Sequence, residues 1–229
     1  MSKVPTFAVA VDAVVLTIRD GALQLLLVKR GIAPHKGSWA LPGGAMLADE
    51  TAEQAVGREL AEETSIAFAP AHLEQLGTWT RVDRDPRGRT VSIAYLAFVP
   101  SLAEPVGGTD AQHAQWFRVD ELPPLAFDHD DIVAAGLERS RAKLEYTTLA
   151  TTFLPSEFTL SDLRDVYEAA WGVPLHVPNF RRKVIGAEGF VEELAGRLAT
   201  TSTGGGPRPQ LYKAGPADDL RPPLMRPSD

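Results

Sequence analysis

Three glutamates, Glu59, Glu62 and Glu63, lie close together in the stretch GGAMLADETAEQAVGRELAEETSI, residues 43–66. On a helix with Ala55 at 0° they fall at about 40°, −20° and 80°, within one arc of roughly 100°. Like charges placed this way repel one another. A hard divalent cation reverses the penalty, because Mg2+ or Mn2+ takes carboxylate oxygens and leaves positions for phosphate oxygens. Such an ion polarises a phosphoryl group and makes a nucleophile of bound water. The other reading of three glutamates is a solvated acidic helix face. Gly43 and Gly44 precede the helix and let backbone approach a ligand, Val56 and Leu60 give it a buried side, and Arg58 is spaced to pair with Glu50. The chain has no cysteine, so any metal must be held by oxygen or histidine, and disulfides are excluded.

Two further groups could meet phosphate. The loop RVDRDPRGR carries Arg81, Arg84, Arg87 and Arg89, whose guanidinium groups can grip a pyrophosphate in bidentate fashion or form a solvated hairpin tip. Lys29 and Arg30 end a strand just before the glycine-rich stretch and are further phosphate candidates. Trp39, Trp79 and Trp116 can stack on a base or fill a core. His35, His113 and His129 lack metal-ligand spacing. Far downstream, the run PNFRRKVI places Phe180 and Val184 on one helix side, Asn179, Arg182 and Lys183 on the other, and Arg181 at the flank. A helix that reads DNA needs this division between seating residues and donors for base edges and phosphates.

The elements that must position these residues follow from periodicity and turn chemistry. FAVAVDAVVLTI and LQLLLVK around RDGA predict a β-hairpin. GIAPHKGSW is a loop. Residues 51–64 predict a helix opened by the capping pair Thr51 and Gln54. LEQLGTWT, TVSIAYLAFVP and AQWFRV are strands, and DHDDIVAAGLERSRAKLEY is a helix with Asp128 at its cap. Beyond residue 147 the pattern changes. FTLSDLRDVYEAAWG is a helix capped by Thr159 and ended by Gly172, followed by a turn, the helix PNFRRKVI and two strand-like pieces, FVEEL and PQLYK, around TSTGGGP. Helix, turn, helix and ribbon outline a winged helix-turn-helix. Arg208 and Lys213 on the ribbon are placed for the DNA backbone. The tail from residue 214, rich in Pro and Asp, is expected to be disordered. The domains expected are thus 1–147, 148–213 and a tail of 214–229.

The spacing G-x5-E-x7-R-E-L-x-E-E, from Gly44 to Glu63, resembles the Nudix box. The resemblance implies an α/β/α sandwich with a mixed sheet that binds a nucleoside diphosphate linked to another moiety. Carried over, Glu59, Glu62 and Glu63 take the metal-binding and catalytic positions, with Glu59 placed to orient or deprotonate water. Gly44 takes the position whose carbonyl lies by the metal, and Glu50 and Arg58 are the structural pair. Ser65 stands where the box has glycine. Glu104 and Asp110 are the acids near enough to supply a further base. DRDPRGRTVSIAYLAFVP is similar to Nudix domains that handle ADP-ribose. The segment from Leu144 to Ile185 resembles the C-terminal part of Nudix-related transcriptional regulators of NAD metabolism. In that family a Nudix sensor binds ADP-ribose and a winged helix homodimer represses a palindromic operator. Many members have lost box acids and sense without cutting, whereas this chain keeps every one. Sensing and pyrophosphate hydrolysis both remain open.

Charge agrees with a divided chain. The net charge is −7, yet residues 1–138 carry 11 basic against 19 acidic residues and residues 176–213 carry 6 against 3. The first part should repel nucleic acid and the second accept it. The absence of a long apolar run and of a signal-peptide pattern predicts a cytoplasmic protein without a membrane span.

Overall fold

The computed structural model describes residues 5–64, 70–100, 111–200 and 207–227. Its chain divides into two compact units, Met1–Thr17 with Gln24–Glu138, and Ile18–Leu23 with Arg139–Asp229.

The first unit is built on a mixed sheet. Strands β1 (Ala8–Arg19) and β2 (Ala22–Arg30) form the expected hairpin, and the turn between them puts Asp20 and Gly21 at φ +50° and +70°. Two successive positive φ values are what an Asp-Gly turn supplies to match strand twist. The sheet order is β3-β2-β1-β6-β5, with β3 (Trp39–Ala40), β5 (His72–Trp79) and β6 (Thr90–Phe98). β4 (Gly43–Ala45) pairs with β1, and β7 (Ala111–Arg118) pairs with β2. β1 runs parallel to β6 and antiparallel to β4.

The pleat of β1 explains the layers, because alternate side chains reach opposite faces. Val11, Ala13 and Val15 pack with Ala55, Val56 and Leu60 of helix α1 (Ala52–Thr64). Val14 points the other way, to helix α2 (His129–Tyr146), where a Cβ on Gly136 would lie 2.8 Å from its Cγ1. The small residue at 136 is therefore what lets this helix sit down on the sheet. Helix, sheet and helix make the expected α/β/α sandwich.

The second unit contains helices α3 (Leu160–Trp171) and α4 (Val177–Gly186) and a ribbon of β8 (Val191–Leu198) and β9 (Gln210–Ala214). Thr159 and Asp162 close a reciprocal capping box at the start of α3, and Gly172 ends it at φ +72°. Leu163, Val166, Tyr167, Phe180, Val184 and Tyr212 share the core. Phe158 exchanges backbone hydrogen bonds with Tyr212, which anchors the ribbon to the helices. This is a winged helix. Residues 201–206, within the predicted wing loop, lie outside the described residues.

The tail departs from the expectation of disorder. Leu220 and Leu224 are 3% exposed and belong to the core. The segment hydrogen-bonds along the end of α2 and just beyond it: Leu220 donates to the Tyr146 carbonyl and Leu224 to that of Glu145, each at 2.8 Å, and Thr148 donates to Asp218 at 3.0 Å. Composition averages polar and proline residues over the window and hides two apolar anchors spaced to reach one groove. Removing one of them, Leu224→Ala, is expected to cost about 2–5 kcal/mol in denaturant unfolding, as for other buried leucines.

Candidate functional site

A cavity of about 410 Å3 opens in the first unit. Its walls come from β1, the end of β2, the glycine turn, α1, the loop 84–90 and the residues just before α2. Glu59, Glu63, Arg30 and Arg87 are among the residues that line it.

The glycine pair lets β4 and α1 come close to β1. Gly43 has φ +154°, and a Cβ there would lie 2.1 Å from the Val11 carbonyl oxygen. A Cβ on Gly44 would lie 2.3 Å from Glu59 Oε1. The helix itself starts as expected, Thr51 and Gln54 exchanging hydrogen bonds. Arg58 then ties the preceding loop down, donating to Glu50 at 2.7 and 3.0 Å and to the Ala45 carbonyl at 3.1 Å. The Arg58 hydrogen bond holds the Glu50 carboxyl low, and Glu50 in turn raises the guanidinium.

The three glutamates part company. Ala55, inside the acidic arc, is fully buried, as are Val56 and Leu60 beyond its Glu63 edge, so the acidic and buried arcs overlap. Glu59 and Glu63 are consequently drawn in, while Glu62 stays exposed, does not line the cavity, and takes a 3.3 Å contact from Arg58. Glu63 accepts a hydrogen bond from the Gly43 amide at 2.9 Å. Burial pushes its carboxyl up to about 8, and burial also raises Glu59 against the pull of Arg58. Half-buried carboxylates with raised affinity for protons are carboxylates in want of a cation. Their hard oxygen donors, and the space beside Glu59 that a Cβ on residue 44 would fill, suit a divalent ion. Among the described residues, no three acidic or histidine side chains converge as a chelating group. The fit is therefore one of donor chemistry, with Arg58 lying between Glu59 and Glu62.

Glu63 also sets a pH dependence. Its folded value lies above that of an unfolded glutamate, so the folded chain holds the extra proton between pH about 4.5 and about 8. Stability is then expected to fall as pH rises through that window. In chelator, Glu63→Gln should flatten this slope, as read by melting temperature against pH.

The arginine loop divides as well. Arg84 is 5% exposed: it lines the cavity wall, but its guanidinium donates to Asp128 at 2.7 and 3.1 Å and to Asp12 at 3.4 Å. Arg81 lies outside the cavity lining, beside exposed Asp83 and Asp131. Arg87 lines the cavity and is steadied by Asp85 at 2.8 Å, a contact that lowers the carboxyl and raises the guanidinium. Arg30 hydrogen-bonds the Pro34 carbonyl at 2.9 Å and lies 4.7 Å from the centroid of the Phe127 ring, with Arg87 at 6.0 Å from the same ring. Burial and then the charge of Arg87 lower the Arg30 guanidinium. Two guanidinium groups lining one cavity are donors of the kind that suits an anion.

Sequence reasoning did not find Asp12, His129 or Phe127. Asp12 joins Arg84, the Ser92 hydroxyl and, at 3.3 Å, His129 Nε2. His129 Nδ1 accepts from the Leu41 amide at 2.9 Å, so the proton of the neutral ring sits on Nε2, toward Asp12. Burial keeps that ring neutral. Asp128 stands just before α2, where a cap is expected, its carbonyl accepts from the Ile132 amide, and its carboxylate pairs with Arg84. None of the three tryptophans lines the cavity: Trp116 is buried in the core, Trp39 stacks edge-on with Phe117, and Phe127 is the aromatic group at the mouth. The one legible signal was Asp12, a lone acid in an apolar strand. Ser65, Glu104 and Asp110 lie outside the described residues.

In the second unit Asn179, Arg181, Arg182 and Lys183 are all exposed on α4, while Phe180 and Val184 are buried beneath it. Arg208 is exposed on the wing, and Lys213 is paired with Glu192 at 2.7 Å.

Sandwich, box and winged helix together define a Nudix domain joined to a DNA-binding module. The NUDIX domain family matches residues 6–136, and the NrtR DNA-binding winged helix domain matches residues 150–214. The chain belongs to the Nudix-related regulators that carry this winged helix. It is 34% identical over 217 residues to the ADPR responsive transcriptional repressor NtrR of Acinetobacter baylyi, covering 93% of this chain and 84% of that one. The structure of Shewanella oneidensis NrtR complexed with a 27mer DNA superposes with a TM-score of 0.72 at 32% identity, over 91% of this chain and 94% of that one. The NUDIX domain of the same protein complexed with ADP ribose gives 0.56 at 36% identity, over 59% of this chain and 90% of that one. An ADP-ribose pyrophosphatase of Methanocaldococcus jannaschii is 42% identical over 126 residues, covering 55% of this chain and 70% of its own length. No helix among the described residues is long and apolar enough to cross a membrane.

Proposed function

We propose that this protein is an ADP-ribose-responsive transcriptional repressor whose winged helix binds an operator as a homodimer in the cytoplasm and whose Nudix cavity takes the nucleotide. The observation that carries the reading is the pairing, on one chain, of an anion-accepting cavity with an exposed basic helix seated on a winged helix core. Arg30 and Arg87 face the pyrophosphate, and Phe127 offers a ring to a base or sugar. Glu59 and Glu63, with Glu62 and the Gly44 carbonyl as the further ligands that the box pattern implies, would hold Mg2+ or Mn2+, which would neutralise and polarise the pyrophosphate. Glu63, once ionised beside the cation, no longer needs its extra proton. Control of DNA follows from differential affinity: a ligand preferring the DNA-free state by a given factor weakens DNA binding by that factor. NAD-related genes are the expected targets.

The test is binding of the purified protein to duplex from its own upstream region, with and without ADP-ribose and Mg2+. Sequence-specific binding released by nucleotide is expected. Binding no tighter than to unrelated duplex, or unaffected by nucleotide, would overturn the reading. A second activity has its own support in the complete set of box acids: hydrolysis of the bound pyrophosphate. In the same tube, release of AMP that vanishes in Glu62→Gln or Glu63→Gln marks turnover, and intact nucleotide marks a sensor.

A further inference from the structure

The segment after Ala214 lies beyond the part of the chain matched by the winged helix family, yet it flanks the helix expected to enter DNA. Leu224, Met225, Arg226 and Pro227 form one wall of a groove of about 260 Å3, and the face of α4 bearing Asn179 and Lys183 forms the other. The Lys183 ammonium meets the Met225 carbonyl at 3.5 Å. Arg226 is set in place by Glu145, with Nε 3.3 Å from its carboxylate and the backbone amide donating at 3.2 Å. No carboxylate lines the groove among the described residues, whereas His176, Arg182, Lys183 and Arg226 do.

Helical geometry shows where this wall stands. With Phe180 at 0°, Val184 lies at about 40°, Arg181 at about 100°, Arg182 at about 200°, and Asn179 and Lys183 at about 260° and 300°. Arg182 therefore faces outward. Arg181, on one flank, lines a second groove with Pro209 and Gln210 of the wing. Asn179 and Lys183, on the other flank, meet the C-terminal segment. The helix lies between two walls, only one of which is the wing.

We propose that residues 217–227 act as a second wing, seating a phosphodiester of duplex DNA against Arg182 and Lys183 in the groove while α4 occupies the adjacent major groove and Arg226, paired with Glu145, fixes the wall. The charge of the groove fits a polyanion, and the buried anchors Leu220 and Leu224 keep its wall fixed to the domain rather than loose in solvent. This rests on the DNA-binding reading above.

The test compares full-length variants on the upstream duplex over a range of salt concentrations. Met225→Glu places an acid in the groove at a side chain that is 46% exposed and leaves both leucine anchors intact. Arg221→Gln changes the net charge by the same amount at an 88% exposed side chain of the same segment that does not line the groove. Met225→Glu is expected to bind about tenfold more weakly, with a salt slope shallower by about 0.9 for the lost phosphate contact. Arg221→Gln should stay within about twofold of the parent, since an exposed charge outside the groove, beside Asp219, makes no phosphate contact there. Equal effects of the two variants, or tighter binding by Met225→Glu, overturn the proposal, the latter making the segment a competitor of DNA. Should Met225→Glu lower the melting temperature, Pro227→Glu on the same wall replaces it. Arg182→Ala on the same duplex separates the two readings: if it binds as the parent does, DNA recognition by α4 fails, whereas weak binding by Arg182→Ala with a normal Met225→Glu removes only the second wing.

Discussion

A chain carrying Arg181→Ala and Arg182→Ala together is expected to lose nearly all of its operator affinity while keeping its fold and its nucleotide site. Both side chains are exposed on α4, and the residues that seat the helix, Phe180 and Val184, are untouched. A guanidinium that reads guanine or grips a phosphate contributes about 1–3 kcal/mol, so the pair should cost about 2–6 kcal/mol, a weakening of thirtyfold or more. The salt slope should become shallower by about 0.9 for each arginine that served a phosphate, and stay unchanged for one that served a base. Lys213→Ala is the contrast. Its ammonium is already paired with Glu192, so its removal should change affinity little. Binding isotherms at several salt concentrations, with ADP-ribose thermal shift as the control, check the result. If the double variant binds the operator as the parent does, α4 is not the reading helix.

The parts of the molecule that sequence made legible are those set by neighbours in the chain. The capping box of α3 needs only Thr159 and Asp162, three residues apart. The first hairpin needs only Asp20 and Gly21. The split between seating and exposed residues on α4 follows from a 3.6-residue period. The glutamates of α1 were legible by the same logic, but their arc is only half of the site. The buried side of α1 runs from Ala55 through Val56 to Leu60, which is why Glu62 is turned out while Glu59 and Glu63 are turned in.

What escaped is held by partners far apart in sequence. Asp12, Arg84, Asp128 and His129 come together across separations of 44, 72 and 88 residues, counting the Leu41 amide that fixes the imidazole. Spacing carries no trace of such a group. Only the oddity of an acid in an apolar strand did, because an ionised group buried without partners is too costly to keep. The C-terminal segment escaped for the opposite reason. Its local composition argued for solvent, and two leucines in tertiary contact outweighed it.

The buried group leads to the other large effect. Arg84→Met is expected to destabilise the Nudix domain by about 3–5 kcal/mol, because it leaves carboxylates buried without a counter-charge. Asp12 and Asp128 are 6% and 4% exposed and take their counter-charge from this guanidinium. His129 is a poor substitute: burial disfavours a charged ring there, and its Nδ1 is already occupied by the Leu41 amide. Arg87→Met, at the cavity mouth, makes the useful comparison. Its partner Asp85 is buried, but Arg87 itself is more than half exposed, so its loss should cost the fold less and the nucleotide more. Denaturant unfolding and ADP-ribose titration on both variants then give opposite orders: Arg84→Met worse in stability, Arg87→Met worse in affinity once the chain is folded. A stable Arg84→Met chain with lost nucleotide binding would make Arg84 a ligand contact rather than the residue that holds the cavity wall together.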